Sequence, residues 1–487
     1  MTPIPADEDY FTRFQAALTR MGPTALHQDE VGAGVMVPGP FGAHRLIYAD
    51  YTASGRALMS VEQAVLGDLL PWYANSHTEA SHCGSVMTRL RRAARAYIAA
   101  QVGAGADHAV VFTGSGATAG INRLVHLLGV AQAVRCGQQA RVLIGPYEHH
   151  SNILPWRESG AEIVDIPEAA QGGPDLAAIH AALVSAPSDA VVVGAFSAAS
   201  NVTGALSDVA AVTRLLNQHG ARAVWDYAAG GPYLPIDMQI QGTRLDAVVV
   251  SPHKFIGGPG ASGVMVVRRD AVCSAVPSLP GGGTVAFVSP QGHRYATDVV
   301  AREEGGTPNV MGDLRAAMAF AVKAAIGADH MVERNAHLAR LGSARLQAAA
   351  GVELLAARGG HLPIFAFRLR DTAGQLLNHQ LATRLLSDLF GVQARGGCAC
   401  AGPYVHRLLD IDAAQSQALD ARLQAGEELA KPGFVRLNLS ALHTGEEVET
   451  ILNAVAQLPG LTAQLGPDYV ADPARAIFRH RSHVQAA

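Results

Sequence analysis

Short apolar runs alternate with amphipathic stretches through the middle of the chain. From about residue 90 to 270, candidate strands fall at Ala109–Thr113, Arg141–Gly145, Glu162–Ile166, Ala190–Phe196, Arg222–Asp226, Ala247–Ser251 and Gly263–Val267. Between several of them lie alanine- and leucine-rich segments with a 3.6-residue period, such as Ala117–Leu128 and Leu206–Gln218. Near-continuous apolar strands separated by helices predict an α/β fold, with a mostly parallel sheet covered on both faces. Ligands of such sheets bind outside the carboxyl ends of the strands, where the chemically interesting residues of this chain lie.

Residues 279–310 are rich in Gly, Pro and Thr without a period, which predicts a functional loop or a crossing into a second domain. From Asp313 the pattern changes to long helices (Leu314–Ile326, His330–Ala350) and strands near Val352–Leu355 and Leu362–Arg368. A helix (Asn378–Phe390), a cysteine loop, a strand (Phe434–Leu439) and a helix (Gly445–Leu458) follow, the pattern of a smaller α+β domain. The expected division is an N-terminal segment 1–45 packing on the small domain, a large domain 46–310, a small domain 311–467 and a tail 468–487. Residues 414–431 read as a polar helical insertion, and the tail has no core-forming period.

At 487 residues the chain exceeds one compact core, consistent with two domains. A hydrophobic fraction of 49% with 16% charged residues describes a globular chain, neither disordered nor coiled coil. A formal charge of −4 gives no electrostatic reason to expect nucleic acid or an anionic membrane. The first residues are acidic and lack the apolar core of a secretory signal, and no apolar run reaches the roughly 18 residues of a membrane span. Five cysteines suit free thiols in a reducing, cytoplasmic compartment better than a disulfide framework.

The candidate chemistry centres on Asp246-Ala-Val-Val-Val-Ser-Pro-His-Lys254, where a lysine stands just beyond a buried strand. Desolvation lowers the pKa of a buried lysine, so an amine there suits Schiff-base chemistry with a carbonyl cofactor; a solvated loop lysine is the alternative. Asp226 ends another apolar strand, and pyridoxal phosphate enzymes pair their lysine with an acidic partner for the pyridinium nitrogen. The Gly-rich turn from Thr113 to Asn122 opens a helix and matches neither a P-loop nor a dinucleotide fingerprint. It is a tight connection or, with Thr118, Ser251 and His253, a phosphate cup. His149 follows a strand end, as a turn cap or as a ring-stacking acid/base. Asn201 is a turn residue or a hydrogen-bond partner for a cofactor's phenolic oxygen.

Arg395-Gly-Gly-Cys398-Ala-Cys400 sets two thiols beside a guanidinium in a Gly-rich loop, a setting that favours thiolates. Zinc is the competing interpretation, but no second cysteine pair has zinc-site spacing and only His406 is near, so no metal is expected. Cys83, Cys136 and Cys273 read as inert. Arg436 suits either a bidentate grip on a substrate carboxylate or a structural ion pair.

With these residues assembled, the chain resembles the class V aminotransferase-like pyridoxal phosphate enzymes, in their cysteine desulfurase/selenocysteine lyase branch. The matching motifs run in family order: Asp50-Tyr-Thr-Ala-Ser54, Gly116-Ala-Thr118, Glu148-His-His-Ser-Asn-Ile-Leu-Pro-Trp156, Ser200-Asn-Val-Thr-Gly204, Asp226, Ser251-Pro-His-Lys254, Gly281-Gly-Gly283, Gly306-Thr-Pro308, the Arg395–Cys400 loop and Arg436. The resemblance implies a fold-type-I transferase with a seven-stranded large-domain sheet, acting as a cytoplasmic homodimer. It makes Lys254 the Schiff-base lysine, Asp226 the pyridinium partner and His149 the ring-stacking acid/base. Asn201 would lie near the phenolic oxygen, and Ala117, Thr118, Ser251 and His253 would bind phosphate. Thr307 would reach the partner subunit's cofactor, Arg436 with Arg395 and Asn201 would bind substrate, and Cys400, with Cys398 beside it, would accept sulfur.

The implied reaction removes sulfur from L-cysteine or selenocysteine, giving alanine and a cysteine persulfide for a sulfur-acceptor protein. Two departures keep alternatives open. Ala229 stands where the family has a glutamine, and Cys398-Ala-Cys400 replaces a single cysteine. The competing functions are a C–S β-lyase, an epimerase, a kynureninase-like enzyme, or a sulfur carrier that binds pyridoxal phosphate without turnover.

Overall fold

The computed structural model describes residues 9–76 and 79–484. Its contacts divide the chain into two compact units. The first comprises residues up to Val31, Ser54–Ser200 and Leu206–Met331; the second comprises Gly32–Ala53, Asn201–Ala205 and residues from Val332 onward.

The first unit is built on seven strands: β1 (His108–Gly114), β2 (Ala140–Ile144), β3 (Glu162–Asp165), β4 (Val191–Ser197), β5 (Arg222–Asp226), β6 (Ala247–Val250) and β7 (Gly263–Arg268). Their order across the sheet is β1-β7-β6-β5-β4-β2-β3. Strands β3, β2, β4, β5 and β6 run parallel, and only β7 is antiparallel to both its neighbours. Central strands β2 and β6 are buried along their whole length, as parallel strands covered on two faces require. Side chains of alternate residues, such as Val111, Val142, Val193, Val224, Val249 and Met265, form one core with Ile121 and Leu124 of a covering helix.

Three further helices of this unit, α1 (Tyr10–Gln28), α2 (His82–Gln101) and α5 (Val310–Ile326), pack on one another. Helix α3 (Gly116–Leu127) follows β1, and α4 (Val209–Gln218) precedes β5. Helix α5 is buried around most of its circumference, including Ala316, Ala317, Met318, Ala319, Phe320 and Ala321, and so belongs to this unit's core. The unit therefore runs past the expected border at residue 310. The expected 1–45 segment is likewise divided. Helix α1 buries Phe11, Leu18 and Leu26 in the first unit, whereas residues 32–45 belong to the second.

The second unit holds the sheet β8 (Val352–Leu354), β9 (Ile364–Leu369), β10 (Arg395–Gly397) and β11 (Phe434–Asn438), in the order β8-β9-β11-β10. Helices α6 (Ala328–Ala348, from Val332 on), α7 (His379–Phe390) and α9 (Gly445–Leu465) supply Leu338, Leu385, Leu386, Ile451 and Val455 to a core with Phe365, Phe367 and Leu437. The polar segment forms helix α8 (Ala413–Gln424) with no buried residue, closed at its N-terminus by an Asp412–Gln415 capping box. The tail contains a hairpin, Tyr469–Asp472 with Ile477–His480, whose Tyr469 enters the core and hydrogen-bonds Asp388 at 2.9 Å. That order was not expected from the tail's aperiodic sequence.

Candidate functional site

In the first unit the acid–base groups lie at or just beyond the carboxyl ends of β2, β5 and β6. Asp226 closes β5 with 4% of its surface exposed. Burial pushes its carboxyl up from the usual range, opposed by the Ala228 amide, which donates to Oδ1 at 2.7 Å, and by the charge of Lys254. Lys254 ends the short turn Pro252–Lys254 directly after β6, half-buried. His253 in that turn is pushed down by burial and then by the neighbouring Lys254 charge.

The phosphate-cup candidates meet at the start of α3. Ser251 Oγ accepts a hydrogen bond from the Ala117 amide at 3.0 Å. Gly116 adopts φ +61°, and a Cβ there would come within 2.9 Å of Ser251 Oγ and 3.0 Å of His253 Cε1. Only glycine keeps this cradle open without strain. Thr118 Oγ1 lies 2.7 Å from Ser151 Oγ, which is itself 3.0 Å from His149 Nδ1. The Ser151 amide also donates to Nδ1 at 3.1 Å, which fixes a neutral imidazole with its proton on Nε2. Ser151 thus joins two predicted residues and is one that sequence reasoning left without a role.

Glu148, within the same motif, has a role that its sequence position does not disclose. It is 2% exposed and accepts from the Ser197 amide at 2.7 Å, Ser197 Oγ at 2.6 Å and Asn152 Nδ2 at 2.6 Å. Asn152 Oδ1 in turn accepts from Trp156 Nε1 at 3.0 Å. Ser197 pairs with Asp226 in the β4–β5 register, so Glu148 ties the loop bearing His149 to the strand beside Asp226. Burial raises Glu148 to about 8, against the pull of its hydrogen bonds and with a further push from Asp226. A third unforeseen group is Lys323 of α5, which donates to the carbonyls of Gly231, at 2.7 Å, and Leu234 and lies 5.5 Å over the Phe255 ring. It braces the loop that leaves Asp226 and the residue that follows Lys254. Burial pushes this amine down to about 7.

Two glycine motifs also meet: the Gly306 amide donates to Gly282 O at 2.7 Å. The adjoining Thr307 is exposed, and Ala229, at the glutamine position, is buried.

In the second unit the substrate-side candidates converge. Arg436 on β11 is 5% exposed; its Nη2 donates to Asp50 Oδ1 at 3.0 Å and its Nη1 to the Asn201 carbonyl at 3.0 Å. Arg395, paired opposite Arg436 across β10 and β11, donates through Nε to Asp50 Oδ2 at 2.9 Å. Asp50 therefore bridges both guanidiniums, a role its sequence position did not disclose. It is set there by the parallel pairing of Ile47–Tyr48 with Val392–Gln393 and by the Asn438 amide on Ala49 O at 2.9 Å. Asn201 Nδ2 donates to Ala399 O at 2.8 Å, and Oδ1 is buried without a hydrogen-bond partner among the described residues. As placed, its amide nitrogen is committed to the cysteine loop. Cys400 is exposed and Cys398 half-buried, and all five cysteines are free. No cluster that could hold a metal ion occurs among the described residues.

A Gly-opened cradle at a helix start, a buried carboxylate near a lysine, and an imidazole of fixed tautomer match the donor set of a phosphorylated, cationic-ring cofactor. The class V aminotransferase family model matches residues 47–451, and the chain belongs to that family of pyridoxal phosphate-dependent enzymes. Among curated relatives, a cysteine desulfurase from Klebsiella pneumoniae subsp. pneumoniae is 28% identical over 85% of this chain and 93% of its own length. A cysteine desulfurase from Enterobacter sp. (strain 638) is 31% identical over 74% of this chain and 85% of its own length. The fold is that of a solved cysteine desulfurase (S-sulfonic acid) from Escherichia coli, at TM-score 0.69 and 24% identity over 89% of this chain and 98% of that one. The match to the apo cysteine desulfurase of Thermococcus onnurineus NA1, also at TM-score 0.69, has 23% identity over 85% and 94% of the two chains. This is the fold-type-I architecture of pyridoxal phosphate enzymes. Among the described residues, no helix is long and apolar enough to cross a membrane.

Proposed function

We propose that this protein is a pyridoxal phosphate-dependent cysteine desulfurase that takes sulfur from L-cysteine or selenium from selenocysteine, leaving alanine. The observation carrying this choice over other class V reactions lies in the second unit. The strand bearing Arg436 pairs with the strand that runs into the Cys398–Cys400 loop, so a carboxylate-binding group and reactive thiols share one sheet edge. An epimerase or a β-lyase has no use for the thiols.

In this proposal Ala117, Thr118, Ser251 and His253 would hold the cofactor phosphate, Asp226 would pair with its ring nitrogen, and His149 and Asn201 would serve its ring and phenolic oxygen. When bound, the cofactor supplies a carbonyl for Lys254 and an electron sink for the substrate. Lys254, released as a free amine, moves the substrate Cα proton. Arg436, held in place by Asp50, orients the substrate carboxylate, with Arg395 and Asn201 as its neighbours. The Cys400 thiolate takes the sulfur as a persulfide, ready for a sulfur-acceptor protein. Thr307, exposed beside Gly306, is assigned to a partner subunit's cofactor in a homodimer. The free cysteines suit a cytoplasmic setting.

The test is the purified, cofactor-loaded chain with cysteine, selenocysteine, cystine and kynurenine, measuring alanine, pyruvate, sulfide and anthranilate. Alanine from cysteine or selenocysteine is expected. Pyruvate in its place would make the protein a β-lyase, and cleavage of kynurenine alone would give Ala229 the deciding role.

A further inference from the structure

The desulfurase mechanism uses one thiol, and the loop has two. We propose that Cys398 resolves the persulfide on Cys400, releasing sulfide as the two cysteines close a disulfide; this rests on the desulfurase reading above. Cys398 thiolate attacks Cys400 Sγ, forming the Cys398–Cys400 S–S bond. The bond from Cys400 Sγ to the outer sulfur breaks, and that sulfur leaves with the electron pair as hydrosulfide. The outer sulfur is thereby reduced to the sulfide level and the Cys398 sulfur is oxidised, while Cys400 Sγ exchanges one S–S bond for another and keeps its oxidation state. A dithiol reductant then restores both thiols by exchange, so the loop couples sulfide release to thiol reducing power.

Backbone geometry supports this pairing. A fully extended i, i+2 pair spans up to about 7 Å, beyond the roughly 4.4–6.8 Å between Cα atoms of most disulfides. Here the chain is turned rather than extended. The Ala401 amide donates to Cys398 O at 3.3 Å, closing a four-residue turn around both cysteines. Ala399 and Cys400 both lie in the left-handed region at φ 52°, which non-glycine residues adopt only when held there. Asn201 supplies such a hold through its 2.8 Å hydrogen bond to Ala399 O, the carbonyl between the two cysteines. The exposures also differ as the two roles require. Cys400 is exposed and so open to an incoming sulfur, while Cys398 is half-buried.

The test uses the full, cofactor-loaded protein with L-cysteine below one equivalent and no other thiol, quenched with an alkylating agent and mapped by mass spectrometry. Wild type should give sulfide in step with alanine, and a loop peptide bearing the Cys398–Cys400 disulfide. In Cys398→Ala and in Cys398→Ser the sulfide signal should be lost, with sulfur kept as a persulfide on Cys400. A wild-type loop that keeps the Cys400 persulfide and forms no disulfide overturns the inference, as does either variant releasing sulfide at the wild-type rate. Loading Cys400 with inorganic polysulfide, with excess reagent removed before the quench, bypasses the amino acid and leaves the Cys398–Cys400 disulfide as the diagnostic product. Absence of alanine would therefore count against the desulfurase reading, while the polysulfide-loaded protein still decides the role of Cys398.

Discussion

Glu148 offers the sharpest test of how the first unit is held together. Removing its side chain in Glu148→Ala leaves the Ser197 amide, Ser197 Oγ and Asn152 Nδ2 without their acceptor in a site only 2% exposed. Each buried donor left unpaired costs about 1–3 kcal/mol, partly recovered where a hydroxyl can turn, so a net loss of about 3–5 kcal/mol is expected. Glu148→Gln keeps the shape but sets a donor amide against donors, for about 1–3 kcal/mol. The pH dependence carries a second signature. With the folded carboxyl near 8 and the unfolded one near 4.5, only the folded chain keeps this proton in between. Its contribution to stability is thus intact below about pH 4.5 and falls by about 1.4 kcal/mol per unit as pH rises towards 8, or about 5 kcal/mol over the window. Urea unfolding of wild type and Glu148→Gln from pH 5 to 8 measures both effects, with the variant expected to show the shallower slope. Equal stability of Glu148→Ala and wild type at pH 7, or parallel pH slopes, would refute this account of the network.

Three other outcomes follow from particular contacts. Gly116→Ala should weaken pyridoxal phosphate binding by about tenfold or more, because its Cβ meets Ser251 and His253 and its φ is left-handed; cofactor titration followed by visible absorbance checks it. Lys254→Ala should abolish the visible absorbance band of the cofactor-loaded protein while leaving far-ultraviolet circular dichroism unchanged. Asp50→Asn removes the carboxylate shared by Arg436 and Arg395, and about 3–5 kcal/mol of stability should go with it since one end of the pair is buried. In steady-state kinetics on cysteine that variant should raise KM more than it lowers kcat; an unchanged KM would remove Arg436 from substrate binding.

The sheet was legible because most strands of the first unit are short, nearly uninterrupted apolar runs, and the predicted bounds lie within a residue or two of the observed ones. Helix α5 was assigned to the wrong side of the domain border for a related reason. Burial on nearly all sides erases the amphipathic period that would have tied it to the first core. The tail hairpin escaped because its strands are four residues each, too short for an alternation to show. Single site residues stood out wherever a reactive type sat at a strand end, as with Lys254 and Asp226. Asp50 and Glu148 did not, since their roles depend on partners far away in sequence: Asp50 meets Arg436 across 386 residues and Glu148 meets Ser197 across 49. The left-handed backbone at Ala399 and Cys400 was also invisible, because neither residue type announces it.

Asn201 has one residue's worth of chain doing two jobs: its carbonyl holds the Arg436 guanidinium and its side-chain amide holds the loop between Cys398 and Cys400. If Arg436 and Cys400 act as proposed, amino acid choice and sulfur handling are not separable modules for anyone re-engineering this protein. A change that shifts the Asn201 backbone to admit a longer substrate will also loosen the turn on which the cysteines depend. Cysteine loops grafted from relatives will need their own equivalent of that amide to keep the same shape.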